Sequence, residues 1–180
     1  MRFIASILLA AASVTAAAGT ADVNLSNKTI EGKFYANAGL ADWTFGALYN
    51  RDQKDSVVNI GLLAVGDSYI GNSRVKGGIG GKLYAVSVDN SDVLALGLGG
   101  QFTVFPADGP FGIGAYGFFS PRVVTALDGE RFWEAGVRGE VEVIKNSSVY
   151  VGYRRVRVDL DNGSSPYVDR GGFAGIQIKF

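Results

Sequence analysis

From Thr29 onward the hydrophobic residues fall at every second position, the period of a strand with one apolar side. Ile30, Phe34, Ala36 and Ala38 alternate with Glu31, Lys33, Tyr35 and Asn37. After a short turn at Gly39 to Ala41, Trp43, Phe45, Ala47 and Tyr49 alternate with Asp42, Thr44 and Asn50. Arg51 to Asp55 reads as a charged loop, and Ser56 to Val65 as a strand with Val58, Ile60, Leu62 and Ala64 opposite Asn59 and Gly61. Turn formers dominate Gly66 to Ser73, which predicts a loop before the strand Val75 to Val88. In that strand Ile79, Leu83 and Ala85 oppose Lys76, Lys82 and Tyr84.

The second half repeats the pattern. After a turn at Asp89 to Asp92, Leu94, Leu96, Leu98, Phe102 and Val104 oppose Ala95, Gly97, Gly99, Gln101 and Thr103. Phe111 to Phe119 is the next strand, and Ser120 to Gly129 reads as a longer loop. Arg131 to Ile144 alternates most sharply, with Trp133, Ala135, Val137, Val141 and Val143 against Glu134, Arg138, Glu140 and Glu142. Lys145 to Ser148 turns into Val149 to Leu160, where Tyr150, Gly152 and Arg154 share the polar face. Arg155 and Arg157 then cannot both fit that face. They reach an outer rim, or a β-bulge resets the register, and the bulge is the preferred reading. Leu160 to Asp169 reads as the last loop. In the closing segment Arg170 to Phe180, Ala174, Ile176, Ile178 and Phe180 oppose Phe173, Gly175, Gln177 and Lys179.

These are nine strands of about nine to fourteen residues, near or above the ~9–11 that cross a bilayer when tilted. Barrels of bacterial membranes have even strand counts. Asp22 to Asn27 supplies a tenth strand, or one of the nine is false. The fold expected is all-β, a closed antiparallel transmembrane barrel of eight to ten strands, with ten favoured. Closure would also pair the apolar terminal strand, which left open would invite aggregation. All four prolines fall between strands, where a missing N–H costs no ladder bond.

Ahead of the strands, Arg2, the apolar run Phe3 to Leu9 and Ala16-Ala17-Ala18 compose an export signal cleaved after Ala18, or alternatively after Ala21. Residues 22–180 then make a single barrel domain in the outer membrane of a Gram-negative bacterium. Composition agrees with a wall that needs apolar residues at alternate positions and small ones behind them: 26 Gly, 12% aromatic and a mean hydropathy of +0.17. The net charge of +0 offers no surplus to attract nucleic acid. With no Cys or His, neither a Ser–His pair nor a His metal site can be built.

Leu48-Tyr49-Asn50 running into Arg51 to Asp55, G-G-K-L-Y at Gly80 to Tyr84, F-F-S-P at Phe118 to Pro121, W-E-A-G-V-R at Trp133 to Arg138 and V-G-Y-R at Val151 to Arg154 follow one another in order. With the terminal Phe180, this series resembles the YfaZ-type family of small outer-membrane proteins. The resemblance implies a porin-like barrel and brings no catalytic motif with it.

Two faces carry the remaining chemistry. Lys82, Tyr84, Glu134, Arg138, Glu140, Glu142, Tyr150 and Arg154 are expected to line the lumen, either as a selectivity lining or as a paired network that plugs a small barrel. Both signs at close spacing favour the plug. Leu94, Leu96, Leu98, Phe102, Trp133, Val137, Val141, Val143, Ile176, Ile178 and Phe180 are expected to face lipid. Trp43, Trp133, Tyr49 and Phe132 are candidates for interfacial aromatic girdles. The inner-face glycines leave either a real lumen or relief from crowding.

G-x-G-x-x-G at Gly112 to Gly117 lies in period-two sequence rather than opening a helix, and Gly77 to Lys82 lacks the phosphate-loop spacing. Glu140 and Glu142 are ordinary strand neighbours, and Asp159, Asp161 and Asn162 miss the EF-hand pattern. No enzyme and no cofactor are expected. The partners expected are outer-membrane lipid and, through the C-terminal strand, the barrel-assembly machinery; nucleic acid is not among them, and the barrel is expected to be a monomer. The competing class is a soluble periplasmic lipocalin-like barrel or sandwich that buries the Leu94, Leu96, Leu98 side around a small apolar ligand.

Overall fold

The computed structural model describes residues 18–89 and 91–180, so the expected signal segment lies almost wholly outside the described residues. Eleven strands follow in order: β1 (Gly19–Ser26), β2 (Thr29–Asn37), β3 (Ala41–Asn50), β4 (Ser56–Ile70), β5 (Ser73–Val88), β6 (Ser91–Phe105), β7 (Phe111–Ser120), β8 (Thr125–Leu127), β9 (Gly129–Ile144), β10 (Ser147–Leu160) and β11 (Tyr167–Lys179). Neighbours run β5-β4-β3-β2-β1-β11-β10-β9-β7-β6, and β6 pairs back onto β5. That closes a ten-stranded antiparallel barrel. The tenth strand is the expected one near Asp22, longer at its start. It pairs with the terminal strand from Thr20↔Lys179 to Ser26↔Phe173, so the chain's apolar end has no free edge.

β8 is not an eleventh stave. After Ser120 a one-turn 3-10 helix, Arg122–Val124, interrupts the strand. Pairing with β6 then resumes at Ala95↔Thr125, where β7 had left it at Leu98↔Phe119. The region expected as a free loop at Ser120 to Gly129 is therefore a bulged continuation of β7. The predicted loop at Gly66 to Ser73 is also strand. β4 and β5 stay paired out to Ile70↔Ser73, and the reversal needs only Gly71, at φ 62, and Asn72. Gly66, Asp67 and Ser68 are turn formers by composition, but the paired backbone opposite them decides their conformation.

No bulge resets β10 at Arg155. Alternation continues without a break, Val156, Val158 and Leu160 buried inside and Arg155 and Arg157 outside. The irregularity in this hairpin lies in β11, where Val168 is the extra residue between the pairs Val156↔Asp169 and Arg157↔Tyr167. Leu160 and Tyr167 to Asp169, expected in the last loop, belong to strands.

The inner-face glycines make room for rings. A Cβ on Gly97 would sit 2.9 Å from the Tyr84 ring, on Gly136 2.7 Å from Tyr116, on Gly112 2.7 Å from Phe105, on Gly152 2.7 Å from Phe173 and on Gly175 2.4 Å from Tyr150. Each ring stands on one strand and lies over a glycine of the next. Of the two readings of these glycines, relief from crowding is the one realised. Gly175→Val is expected to lower stability by about 1–3 kcal/mol through overpacking. Gly139→Val, whose Cβ would meet nothing within 4 Å, serves as the tolerated comparison in urea unfolding of the lipid-embedded protein.

Candidate functional site in the barrel interior

Because side chains alternate across a strand, each stave delivers one set of residues outward and one inward. The outward set is apolar. Leu94, Leu96, Leu98, Phe102, Val137, Val143, Ile176, Ile178 and Phe180 are all exposed, Leu98 at 63%, and Trp133 and Val141 lie half-exposed on the same outer face. Val23, Leu25, Ile30, Phe45, Ile60 and Leu62 continue the belt around the other side. A soluble binder would turn this surface inward; here it encircles the molecule, far beyond the few hundred Å² of contiguous apolar surface a soluble monomer exposes. Trp43, Tyr49 and Trp133 stand on that outer face, but Phe132 does not. It is fully buried against Tyr84, ring centroids 4.3 Å apart, because it shares the inward phase of Glu134.

The interior has three layers. At the end carrying the termini is a polar cup of ≈ 510 Å³, with Lys82, Arg138, Glu140 and Glu142 among its walls. Glu142 accepts from Arg74 Nη2 at 2.8 Å and Lys76 Nζ at 2.9 Å. Arg138 Nε is 2.8 Å from Glu140 Oε2, an ion pair without hydrogen-bond alignment, and Arg138 Nη1 is 3.8 Å from Asp22 Oδ2. Lys82, at the cup's floor, has no carboxylate within salt-bridge distance among the described residues. Its Nζ lies over the Phe118 ring instead, 4.0 Å from the centroid.

Beneath the cup is a buried ionic layer centred on Arg154. Its guanidinium reaches Asp169 and Glu31, donates to Asn24 Oδ1 and Thr29 Oγ1 at 2.9 Å each, and stacks over Phe173. Asn24 Nδ2 donates to Glu31 at 2.7 Å, and Lys33 Nζ is 3.0 Å from the same carboxylate and 4.0 Å from Glu134. Tyr84 donates to Glu134 at 2.9 Å, and Tyr150 donates to Asp22. All eight residues read as inner from the sequence do point inward. Lys82, Arg138, Glu140 and Glu142 line the cup, whereas Tyr84, Glu134, Tyr150 and Arg154 are packed away from it. The partners of Arg154 carry no sequence signal of their own: Asn24 sits in a short first strand, Asp169 in a stretch that reads as loop, and Glu31 is one polar position among many of the same phase.

The third layer, at the loop end, is apolar. Val86, Val88, Val93, Val156, Val158 and Leu160 pack with Phe132 and Phe118 into a core exposed by no more than 3% at any of them. The small depression above it, lined by Gln53, Asp55, Val88, Asp89 and Pro166, shares no lining residue with the cup.

A closed ten-stranded wall, apolar outside and ionic inside, defines a membrane β-barrel. The profile of the YfaZ family, described as "YfaZ precursor", matches residues 1–180, and the chain belongs to that family. No curated protein matches it in sequence. Among solved structures, it is similar to the outer membrane channel DcaP of Acinetobacter baumannii, at 11% identity, a TM-score of 0.41, and coverage of 93% of this chain and 55% of that one. This chain thus spans only about half the channel's length. It is also similar to the outer membrane protease OmpT from Escherichia coli, at 10% identity, a TM-score of 0.45, and coverage of 91% and 93%.

Removing the Arg154 cation while leaving its acids buried is expected to cost about 3–5 kcal/mol. Arg154→Met should therefore shift the urea midpoint far below that of the native barrel. Adding Asp169→Asn should recover part of the loss, and an unchanged midpoint in Arg154→Met would refute the assignment of this layer as a paired network.

Proposed function

We propose that the protein is an outer-membrane barrel with its termini and cup toward the periplasm, closed in its resting state rather than an open pore. One observation carries this reading: the apolar layer of Val86, Val88, Val93, Val156, Val158 and Leu160, backed by the Arg154 network, fills the cross-section between the cup and the loop end. An ion passing it would shed its hydration among valines and leucines, with no polar group to replace the lost water. The orientation is supported by the even strand count, which brings both termini to one end, and by connections of two to five residues at that end against up to eight at the other. A structural or ligand-holding role for the cup fits this better than bulk permeation. A non-enzymatic role is supported by a chain that contains no His or Cys.

The cut after Ala18 is favoured over Ala21. Gly19 N–H donates to Phe180 O at 2.9 Å and Phe180 N–H to Gly19 O at 3.0 Å, and Thr20 and Ala21 pair with Lys179 and Ile178. The later cut would strip the closing seam of these pairs. Mass measurement of the protein recovered from membranes should give an N-terminus at Gly19. The terminal strand, apolar on its outer phase, is the segment offered to the assembly machinery.

Reconstituted in a planar bilayer, the folded protein is expected to stay silent, with a band that shifts on boiling to show that the barrel was intact. Steady conductance steps from the unaltered protein would overturn the closed reading. Phe132→Ala combined with Leu160→Ala, which empties the apolar layer, is expected to produce steps where the parent gives none.

A further inference from the structure

The upper outer face of β9, β10 and β11 carries four arginines. Arg131, Arg155 and Arg170 are exposed and Arg157 is half-buried. All four point outward, since Phe132, Val156, Val158 and Asp169 between or beside them are buried inside. They are neighbours in the sheet: Arg155 lies directly opposite Arg170, Arg131 opposite Asp159, and Arg157 opposite both Trp133 and Tyr167. Like charges placed directly across a strand pair destabilise it. Yet among the described residues only Asp159, 3.0 Å from Arg157 Nε, is within salt-bridge distance of any of the four. Arg131, Arg155 and Arg170 are left without an acid.

The patch also has a definite height. Arg170, on β11, and Phe180, the residue that follows β11, are ten residues apart and share its outer phase. That separation is about 33 Å along the strand and about 25 Å along the barrel axis at a tilt near 40°, the height of an apolar belt. The outer positions between them are Gly172, Ala174, Ile176 and Ile178, with no charge. The arginines thus stand where the belt ends, at headgroup depth on the loop side. Tyr153 is one outer position below Arg155, and Tyr167 stands opposite Arg157 on the loop side of Arg170: Arg155 is 5.6 Å from the Tyr153 ring centroid, and Arg157 and Arg170 are 5.6 and 5.3 Å from that of Tyr167. Guanidinium forks flanked by phenol rings, with the uncharged belt directly below them, are complementary to a phosphorylated amphiphile.

We infer that Arg131, Arg155 and Arg170, with Tyr153 and Tyr167, form a binding site for the phosphate groups of an anionic glycolipid in the outer leaflet. The phosphates neutralise the Arg155–Arg170 pair, and the acyl chains lie down the apolar face below. This inference rests on the outer-membrane reading above.

The test uses the folded, detergent-solubilised mature protein and bisphosphorylated lipid A. Binding is followed by native mass spectrometry and by the temperature at which the compact band converts to the unfolded one. Lipid A is expected to remain bound and to raise that temperature, and its dephosphorylated form is not. Arg155→Gln with Arg170→Gln should weaken lipid A binding by about tenfold or more, while Arg155→Lys with Arg170→Lys retains part of it. Lys54→Gln, a change to an exposed residue between β3 and β4 on another side of the barrel, should leave it unaltered. Equal binding by the dephosphorylated lipid, or by the double Gln variant in its compact form, would overturn the inference. So would protection by free inorganic phosphate equal to that by the lipid. An unaltered protein that lacks a heat-convertible band would instead overturn the barrel reading underneath it.

Discussion

The constraint on which everything else depends is that a sheet inside a bilayer has no water to satisfy an open edge, so its hydrogen-bond ladder must return to its first strand. Here every stave but one pairs with the next in sequence, and the return is made by β1 and β11, the joining of the chain's two ends. That joint is the demanding one. Its strands are separated by nearly the whole chain, and their pairing repays the loop-closure entropy only when the rest of the wall is in place.

The buried charges concentrate at that joint. Arg154 comes from β10, Asn24 from β1, Thr29 and Glu31 from β2 and Asp169 from β11, so one guanidinium ties four consecutive staves across the seam. Tyr150 of β10 adds a bond to Asp22 of β1. A network of this kind is a poor source of net stability compared with an apolar filling, because each ion has lost its water. It is sensitive to register, however. A one-residue slip of β1 against β11 would turn Asn24 and Asp22 outward and leave Arg154 and Tyr150 facing Val23 and Leu25.

Period two made the staves legible, and with them the inner and outer phase of nearly every residue, since one polar and one apolar solvent on opposite sides of a wall leave an alternating record. Extents were less legible. Gly66 to Ser68 resemble a turn by composition because turn propensity describes an isolated segment, whereas here a partner strand occupies the other side of the ladder, and Thr125 to Leu127 is too short a run to stand out from the loop around it. The filling of the interior was illegible for a different reason. The Arg154 layer assembles from residues as far as 130 positions apart in sequence, and the glycines beside Tyr84, Tyr116 and Tyr150 look identical whether they face a ring or open space.

The apparent misfit at Arg155 and Arg157 shows where the surroundings of the wall change. Lower on β10, Val149 and Val151 point out and Ser148, Tyr150 and Arg154 point in. From residue 155 upward the polarity inverts, with Arg155, Arg157 and Asp159 out and Val156, Val158 and Leu160 in. The same inversion occurs on β9 between Trp133 and Arg131, and on β5 between Leu83 and Ser87, where Val86 and Val88 turn inward. A register shift would have inverted one strand. Three strands inverting at their loop ends, with alternation unbroken, require that the surroundings invert instead. Below the line the outside is apolar and the inside holds paired ions. Above it the outside is aqueous, and the barrel folds as a soluble barrel does, around a hydrophobic core. The apolar layer at the loop end is therefore the ordinary core of the part of the wall that stands beyond the belt.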